Sequence, residues 1–556
     1  MSEQTLRVRV VAAIGGALRA WLSESSSASD ERRLPAWEVS RPERAEHGDF
    51  ASNVALKLAG SLGRPPRMIA EALAARLRPA GTDGLIARAE VAGPGFLNLW
   101  LDDAGIERAV DAVRSASAYG RSTPADGARQ LNVEFVSANP TGPLTIGNAR
   151  GAFVGDLLSR VLEAVGHEVS REYYFNDFGR QVENLGASVL AARRGQPAPE
   201  DGYRGAYVRD LADELPDEVT RQAEQAPDEG ARLVGGWASE RVRAGIEASL
   251  ERLGVHFDVW KSEGSLHTEG WVERGVEMIR RSGHCYEQDG ALWFRSTDFG
   301  DDKDRVIIRS NGQPTYFAAD IGYLVEKFSR GYDELVYVWG ADHHGTVVRL
   351  RGAAQALGFD REKVRVLLIA WVRFVRDGQE ISMSKRSGEF ITLDELLEEV
   401  GVDAARWYFA SRAPSTGIDF DIELARKQSN ENPVYYVQYA HARISSILRK
   451  AAAEGIAPAA SVAGSLAADE VARGLARDLL DLPDVVLDAA ATRETQGITT
   501  YATALATRFH AYYRDRRVVD ADDPATSAAR LALVDATRAT LAGALGLLGI
   551  SAPESM

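Results

Sequence analysis

The sequence predicts a mixed α/β protein built around a doubly wound parallel sheet, with a smaller α/β module before it and an all-α helical bundle after it. Three observations predict this. From about residue 122 to 400, β-prone runs alternate with segments of helical periodicity, the pattern of parallel strands joined by crossover helices. Residues 1 to about 115 mix the helical run MIAEALAARL (68–77) with AEVAGPGFLNLWL (89–101), which is glycine-flanked and strand-like. After about residue 405 strand-like runs cease, and long Ala/Leu/Arg segments carry periodic apolar residues. The expected domains are therefore 1–115, 122–404 and 405–556. A length of 556 residues with 45% hydrophobic residues accommodates three or four buried cores.

Within the first module, MSEQTLRVRVVAAIGGALRAWL reads as an amphipathic helix, because Arg7, Arg9 and Arg19 interrupt its apolar stretch. No apolar run is long enough to span a bilayer. In the centre, Leu131 to Val136 is a short β-prone run, and Val154, Leu157, Leu158, Val161, Leu162 and Val165 then recur at helical spacing until Gly166. VSREYYF, ELVYVWG (334–340) and VRVLLIAWV (364–372) are the following strands. An insertion spans about 195–290, and its polar Pro/Gly/Glu-containing part, 195–235, is expected to be a surface-exposed helical segment. The bundle is broken by loops around 456–467 and 520–525, and its Ala-rich tracts are helix formers.

Composition excludes several chemistries. The single Cys285 rules out an intramolecular disulfide and a multi-Cys zinc site, and packing is its expected role. His343-His344 has only Asp342 beside it, so no structural metal is expected. A formal charge of −15 argues against indiscriminate polyanion binding, and leaves nucleic acid to local basic faces. Candidates are Arg443, Arg449 and Lys450, then Arg508, Arg514, Arg516 and Arg517; a solvated helix face is the competing explanation for each.

The chemistry concentrates in SANPTGPLTIGNARGAFVGDLL (137–158), where a strand feeds a helix through a Pro/Gly-rich turn. Gly147 permits close backbone approach, and the free N–H groups and positive dipole end of the helix favour an anion beside residues 145–148. Gly340, Asp342, His343 and His344 form a second loop after a strand, where glycine admits a nucleoside and a carboxylate accepts ribose hydroxyls. Packing or capping is the alternative for each histidine. In SMSKRSG the ammonium of Lys385, between Ser384 and Gly388, can follow phosphates that leave.

These motifs resemble the class I aminoacyl-tRNA synthetases, and the arginyl-tRNA synthetases in particular. Thr145-Ile146-Gly147-Asn148 occupies the place of the first signature, usually His-Ile-Gly-His, within a Ser-Ala-Asn-Pro-Thr-Gly-Pro context typical of arginyl enzymes. LGVHFDVWKSE (253–263), YFAADIGY (316–323), WGADHHG (339–345), MSKRSG (383–388) and ENPVYYVQYAHARI (431–444) follow in family order, and HGDFASNVALKLAG (47–60) and the APESM tail extend the likeness over nearly the whole chain.

The resemblance implies a Rossmann-type catalytic domain, a tRNA-binding N-terminal domain and an anticodon-binding bundle. It implies ligation of L-arginine to tRNA(Arg) with ATP, through an arginyl-adenylate and with magnesium only as the ATP counterion. It also implies a cytoplasmic monomer, and arginine activation that needs bound tRNA. Thr145, Asn148 and Lys385 are the implied catalytic groups. ATP would lie on Thr145, Gly147, Asn148, Gly340, Asp342, His343, His344, Met383, Ser384 and Lys385.

Arginine presents a planar fork of donors, which carboxylates and aligned acceptors match. Glu134, Tyr316 and Asp320 map onto the side-chain pocket, Ser137 and Asn139 onto the α-amino end. Glu134 lies in an otherwise apolar strand, where an unpaired carboxylate is costly; an internal arginine is its alternative partner. Phe96 and Asn98 map onto the aromatic-x-Asn that reads the tRNA D-loop, with core packing the alternative for Phe96. Tyr435, Tyr436, Gln438, Tyr439 and Arg443, with Arg517 and Met556, are the implied anticodon contacts. The departures matter chemically: Thr145 and Asn148 donate hydrogen bonds but cannot become cationic, and Ser382 replaces the first lysine of the Lys-Met-Ser-Lys-Ser signature. A non-catalytic tRNA-binding paralogue is the rival reading on that ground.

Overall fold

In the computed structural model, residues 5–24, 34–77, 84–116, 119–122, 127–380, 391–467 and 469–556 are described. Five parallel strands form the central sheet, in chain order Gln130–Glu134, Glu168–Phe175, Val259–Ser262, Glu334–Gly340 and Val364–Ile369. Across the sheet the first strand lies between the second and the fourth, with the third and fifth at the two edges. The strand order therefore reverses beside Gln130–Glu134, and the crevice at its carboxyl end, next to Gly340, is where such sheets take ligands.

The helix Ile146–Ala164 returns from the first strand across the sheet and is buried along most of its length. Gly155 makes that approach possible, since a Cβ there would fall 2.2 Å from the Phe135 ring. A similar close contact fixes the insertion: Gly186 on Arg180–Arg193 and Gly235 on Pro227–Arg252 each put backbone against the other helix, where a Cβ would meet a carbonyl at 1.9 and 2.2 Å. The insertion is helical as expected, through Ala206–Glu214, Asp217–Gln225 and Pro227–Arg252, but its apolar face is buried. The expected span 195–290 is not one insertion, because Val259–Ser262 within it returns to the edge of the central sheet before a three-stranded antiparallel sheet, Cys285–Gln288, Ala291–Phe294 and Arg305–Ile308, follows.

The N-terminal module is a four-stranded antiparallel sheet flanked by the helices Leu6–Glu24, Val54–Leu62, Pro66–Arg76 and Asp103–Ser115. At the other end of the chain, the helices Pro433–Ala453, Glu470–Leu479, Leu482–Thr492, Gly497–Asp515 and Pro524–Leu547 form the bundle. One strand contradicts the expectation that strands end near residue 405: Ile418–Asp421 pairs in parallel with Val372–Arg376. At four residues it is too short to show period-2 alternation over a readable window, and pairing with a distant strand specifies it.

Buried charges join the three parts. Arg473 of the bundle binds Asp49 (2.9 Å) and Asp103 (2.7 Å) of the N-terminal module. Arg493 binds Glu334, the first residue of the fourth strand, at 2.9 Å. Arg406, 2% exposed, binds Asp156 of the signature helix at 2.7 Å and donates to the carbonyls of Leu253, Gly254 and Leu548. Three segments far apart in sequence thus meet on one guanidinium.

Asp156→Ala strips Arg406 and Arg160 of their shared carboxylate, and breaking a buried pair of this kind costs about 3–5 kcal/mol. Urea denaturation followed by circular dichroism reads this as a lowered midpoint. A loss below about 1 kcal/mol would remove the pair from its structural role.

Candidate functional site

A cavity of about 700 Å³ opens at the strand-order reversal. Its floor comes from the first strand and the turn after it, Glu134 and residues 136–139, with Gly147, Asn148 and Gly151 of the signature helix along one side. Tyr316, Asp320 and Tyr323 enter from the helix Tyr316–Ser329, spaced so that they share one face. The far end is Trp339, Gly340, His343, Thr346 and Arg349.

The turn is held in an unusual backbone. Val136 (φ 66°) and Ser137 (φ 46°) both take left-handed geometry, which a β-branched residue rarely adopts and which costs of order 1–3 kcal/mol each. This bend turns Ser137 back so that its Oγ donates to Glu134 Oε1 at 3.2 Å and accepts from the Tyr174 amide at 3.2 Å. Asn139 donates to Gln181 Oε1 (2.7 Å) and accepts from the Asn176 amide (3.3 Å), so a polar loop after the second strand completes the wall.

Thr145 and Asn148 act on each other. Thr145 is the N-cap of the signature helix, and both its amide (3.0 Å) and its hydroxyl (3.1 Å) donate to Asn148 Oδ1. The Asn148 carbonyl oxygen is thereby committed, which leaves its amide hydrogens facing the cavity; the Thr145 hydroxyl hydrogen is already used. Among the described residues nothing requires glycine at 147, where a Cβ would meet Thr145 Oγ1 at 3.5 Å. The lack of a side chain there keeps the wall bare beside the helix N-terminus.

Met383, Ser384 and Lys385, with Ser382, lie outside the described residues. The segment that follows them is clamped to the phosphate turn: the Ile146 amide donates to the Ile391 carbonyl (3.2 Å) and the Leu393 amide to that of Leu144 (2.9 Å), with Thr145 and Thr392 bridged. Buried Arg150 adds a second tie, donating to the carbonyls of Ala370 (2.8 Å), Ala413 (2.9 Å) and Thr416 (2.7 Å). The phosphate turn and the chain that leaves the second signature are therefore anchored to the same helix end.

Glu134, Ser137, Asn139, Tyr316 and Asp320 come together in one cavity, as the sequence predicts. Glu134 is 3% exposed, and its internal partner is Lys327 at 2.7 Å rather than an arginine. Burial, with Glu263 and then Glu134 nearby, pushes the Asp320 carboxyl up to about 7, against the opposing pull of Arg349. Burial likewise raises Glu263, which accepts from the Tyr174 hydroxyl. Gly340 and His343 line the cavity, whereas Asp342 and His344 are exposed beside it, and Asp342 reaches His343 at 3.7 Å. Sequence alone does not single out Tyr174, Gln181, Glu263, Lys327 or Arg349. The polar run NDFGRQ (176–181) directly after a strand is a signal for the loop; the others carry none.

The expected RNA contacts are distributed unevenly. Phe96 is 42% exposed, which favours the surface alternative over the core one, while Asn98 on the same strand is buried. Tyr435 stacks on Tyr439 (6.3 Å), Arg443 lies over Tyr439 (5.1 Å), and Tyr436 packs against His510. Gln438 is engaged within the protein instead. Buried, it donates to Asp403 (2.8 Å) and Ser551 (3.0 Å), tying the tyrosine-rich helix to the chain end. Exposed Met556 lines a second cavity with Tyr435 and Gln438. Arg508, Arg514, Arg516 and Arg517 are each paired with an aspartate, Arg517 with Asp520 at 3.3 Å.

A cavity of about 700 Å³ at the reversal of a parallel sheet, with the turn before Ile146 and residues 391–393 on one helix end, is the arrangement of a class I aminoacyl-tRNA synthetase fold. Residues 115–412 match the family model of the class I (R) tRNA synthetase catalytic domain. The solved methionyl-tRNA synthetase of Mycobacterium tuberculosis shares the fold at 13% identity and a TM-score of 0.56, over 76% of this chain and 92% of that one. Residues 12–101 match the arginyl tRNA synthetase N-terminal domain and 437–556 the DALR anticodon binding domain. The chain belongs to the arginyl-tRNA synthetase family. It is 46% identical to the arginine–tRNA ligase of Syntrophotalea carbinolica over 98% of this chain and 99% of that protein. The arginyl-tRNA synthetase of Thermus thermophilus superposes with a TM-score of 0.75 at 26% identity, over 97% of this chain and 99% of that chain.

Because an acid poised near 7 faces the cavity, binding of a guanidinium ligand must displace a proton at lower pH. A guanidinium that meets Asp320 therefore loses affinity as pH falls through about 7. Calorimetric titration with arginine across that range checks this, and Asp320→Asn weakens the dependence, Glu263 being raised in the same cavity.

Proposed function

We propose that this chain ligates L-arginine to tRNA(Arg) at the expense of ATP, forming arginyl-adenylate and pyrophosphate before transfer to the terminal ribose of the tRNA. The observation that carries the reading is the convergence of Glu134, Asp320 and the Thr145–Asn148 turn on one cavity. Neither chemical step needs a protein nucleophile. The protein has to bring the arginine carboxylate to the α-phosphorus and offset the charge that develops on the phosphates.

Glu134 and Asp320, with Tyr316, hold the guanidinium, and Ser137 and Asn139 the α-amino end. The bare wall at Gly147 and the amide of Asn148 receive the ATP phosphates at a helix N-terminus. Thr145 contributes by fixing Asn148, a role that its hydrogen bonds to Asn148 Oδ1 support. Gly340 and His343 border the nucleoside, with Asp342 and His344 at its rim. Met383, Ser384 and Lys385 follow the β- and γ-phosphates, and magnesium enters as the counterion of ATP.

Residues 1–115 and 405–556 grip the tRNA on either side of the catalytic domain, 122–404. Phe96 serves the first contact, with buried Asn98 beneath it on the same strand; Tyr435, Tyr436, Tyr439, Arg443, Arg517 and Met556 serve the second. The protein acts as a cytoplasmic monomer, as the family resemblance implies.

Purified protein charges tRNA(Arg) with arginine and not with lysine. Folded protein that gives no product above background at high enzyme concentration would sink the reading. Lys385→Ala slows adenylate formation by about a hundredfold, the size expected for one lost transition-state contact, with tRNA affinity unchanged. Single-turnover kinetics separate the two effects.

A further inference from the structure

Behind the arginine pocket, Lys327 is fully buried, in the last turn of the helix that also carries Tyr316 and Asp320. Its ammonium lies 2.7 Å from Glu134 Oε2 and sits between two aromatic rings, 4.5 Å from the centre of Tyr323 and 4.2 Å from that of Tyr337. It does not line the cavity, whereas Glu134 and both tyrosines do. An ammonium removed from water so completely is costly unless a carboxylate and aromatic faces replace its hydration, and here they do.

The charges around Glu134 make this placement consequential. Asp320 and Glu263 face it across the cavity, and Arg349 is the cation of the cavity wall. Glu172, the other buried acid nearby, already has Arg330 at 2.8 Å and accepts from Tyr323 and Asn132. Lys327 is thus the partner left for Glu134. Removing it would take away the cation that offsets burial of the Glu134 carboxylate at 2.7 Å.

We infer that Lys327 is a positioning residue for arginine recognition, which orients Glu134 from behind the pocket. The inference rests on the proposed assignment of Glu134 to the arginine side chain. A fixed cation behind the carboxylate leaves Glu134 aimed, with Oε2 held by Lys327 and Oε1 accepting from Ser137.

The test measures arginine KM, ATP KM and kcat in tRNA charging by the full-length protein, with thermal melts to establish folding. Glu134→Gln leaves Lys327 as an unpaired cation behind the pocket, and arginine KM rises by about a hundredfold with ATP KM within about twofold of the parent. Adding Lys327→Met to that variant removes the repulsive charge, so about tenfold of the lost affinity returns. Lys327→Met alone raises arginine KM with ATP KM unchanged, because Glu134 loses the contact that orients it. The comparison of the double variant with Glu134→Gln stands even where Lys327→Met alone fails to fold. A double variant that binds arginine no better than Glu134→Gln overturns the role of Lys327. An unchanged arginine KM in Glu134→Gln overturns the pocket assignment and this inference together.

Discussion

The arrangement depends on the buried guanidinium of Arg406. It holds Asp156 in the middle of the signature helix while binding the carbonyls just after the helix Pro227–Arg252 and near residue 548. The helix N-terminus at Thr145 is only as well placed as the helix behind it. An ion pair at this depth contributes little net stability against an apolar replacement, but it tolerates no loss of one partner. It therefore acts as a coupling: catalytic core, insertion and bundle are correctly assembled or the charge is stranded.

The active-site geometry follows from that frame. The signature helix starts at the strand-order reversal, and the backbone bend at Val136 and Ser137 is offset by surrounding packing that leaves the chain no relaxed alternative. Residues 391–393 are hydrogen-bonded to 144–146, and Arg150 binds the carbonyls after the fifth strand. Tying these segments to one element gives a chemistry made of positioning the rigidity it needs. Thr145 and Asn148 fit this picture, since their mutual hydrogen bonds trade cationic character for a fixed donor.

Much of the fold was legible because it rests on local periodicity. The strands at 130–134, 168–175, 334–340 and 364–369 and the helix to residue 164 fall where alternation and 3.6-residue spacing place them. The strand Ile418–Asp421 was not legible, because a four-residue strand owes its existence to its partner. That Glu134 and Asp320 line one cavity was legible from residue type and spacing, as with Glu134 in an apolar strand or Asp320 four residues after Tyr316. Lys327 was not: a lysine in the last turn of a helix reads as a solvated cation near the negative dipole end, and only tertiary packing carries it inside. Gln438 departs in the opposite sense, a polar residue among tyrosines that the chain end claims for itself.

The sequence by itself determined the class of sheet, the strand–turn–helix at 130–164 and the carboxylates Glu134 and Asp320 that line one cavity, because each is written in neighbouring residues or in fixed spacings along one element. Only the tertiary structure decided which charges are neutralised and from where: Lys327 behind Glu134, Arg406 on Asp156, Arg493 on Glu334. Those three pairings join residues 193, 250 and 159 positions apart, too far for any spacing rule to connect them. Burial removes the water that would otherwise make such distant pairs unnecessary, and nothing local records which surfaces will be buried together.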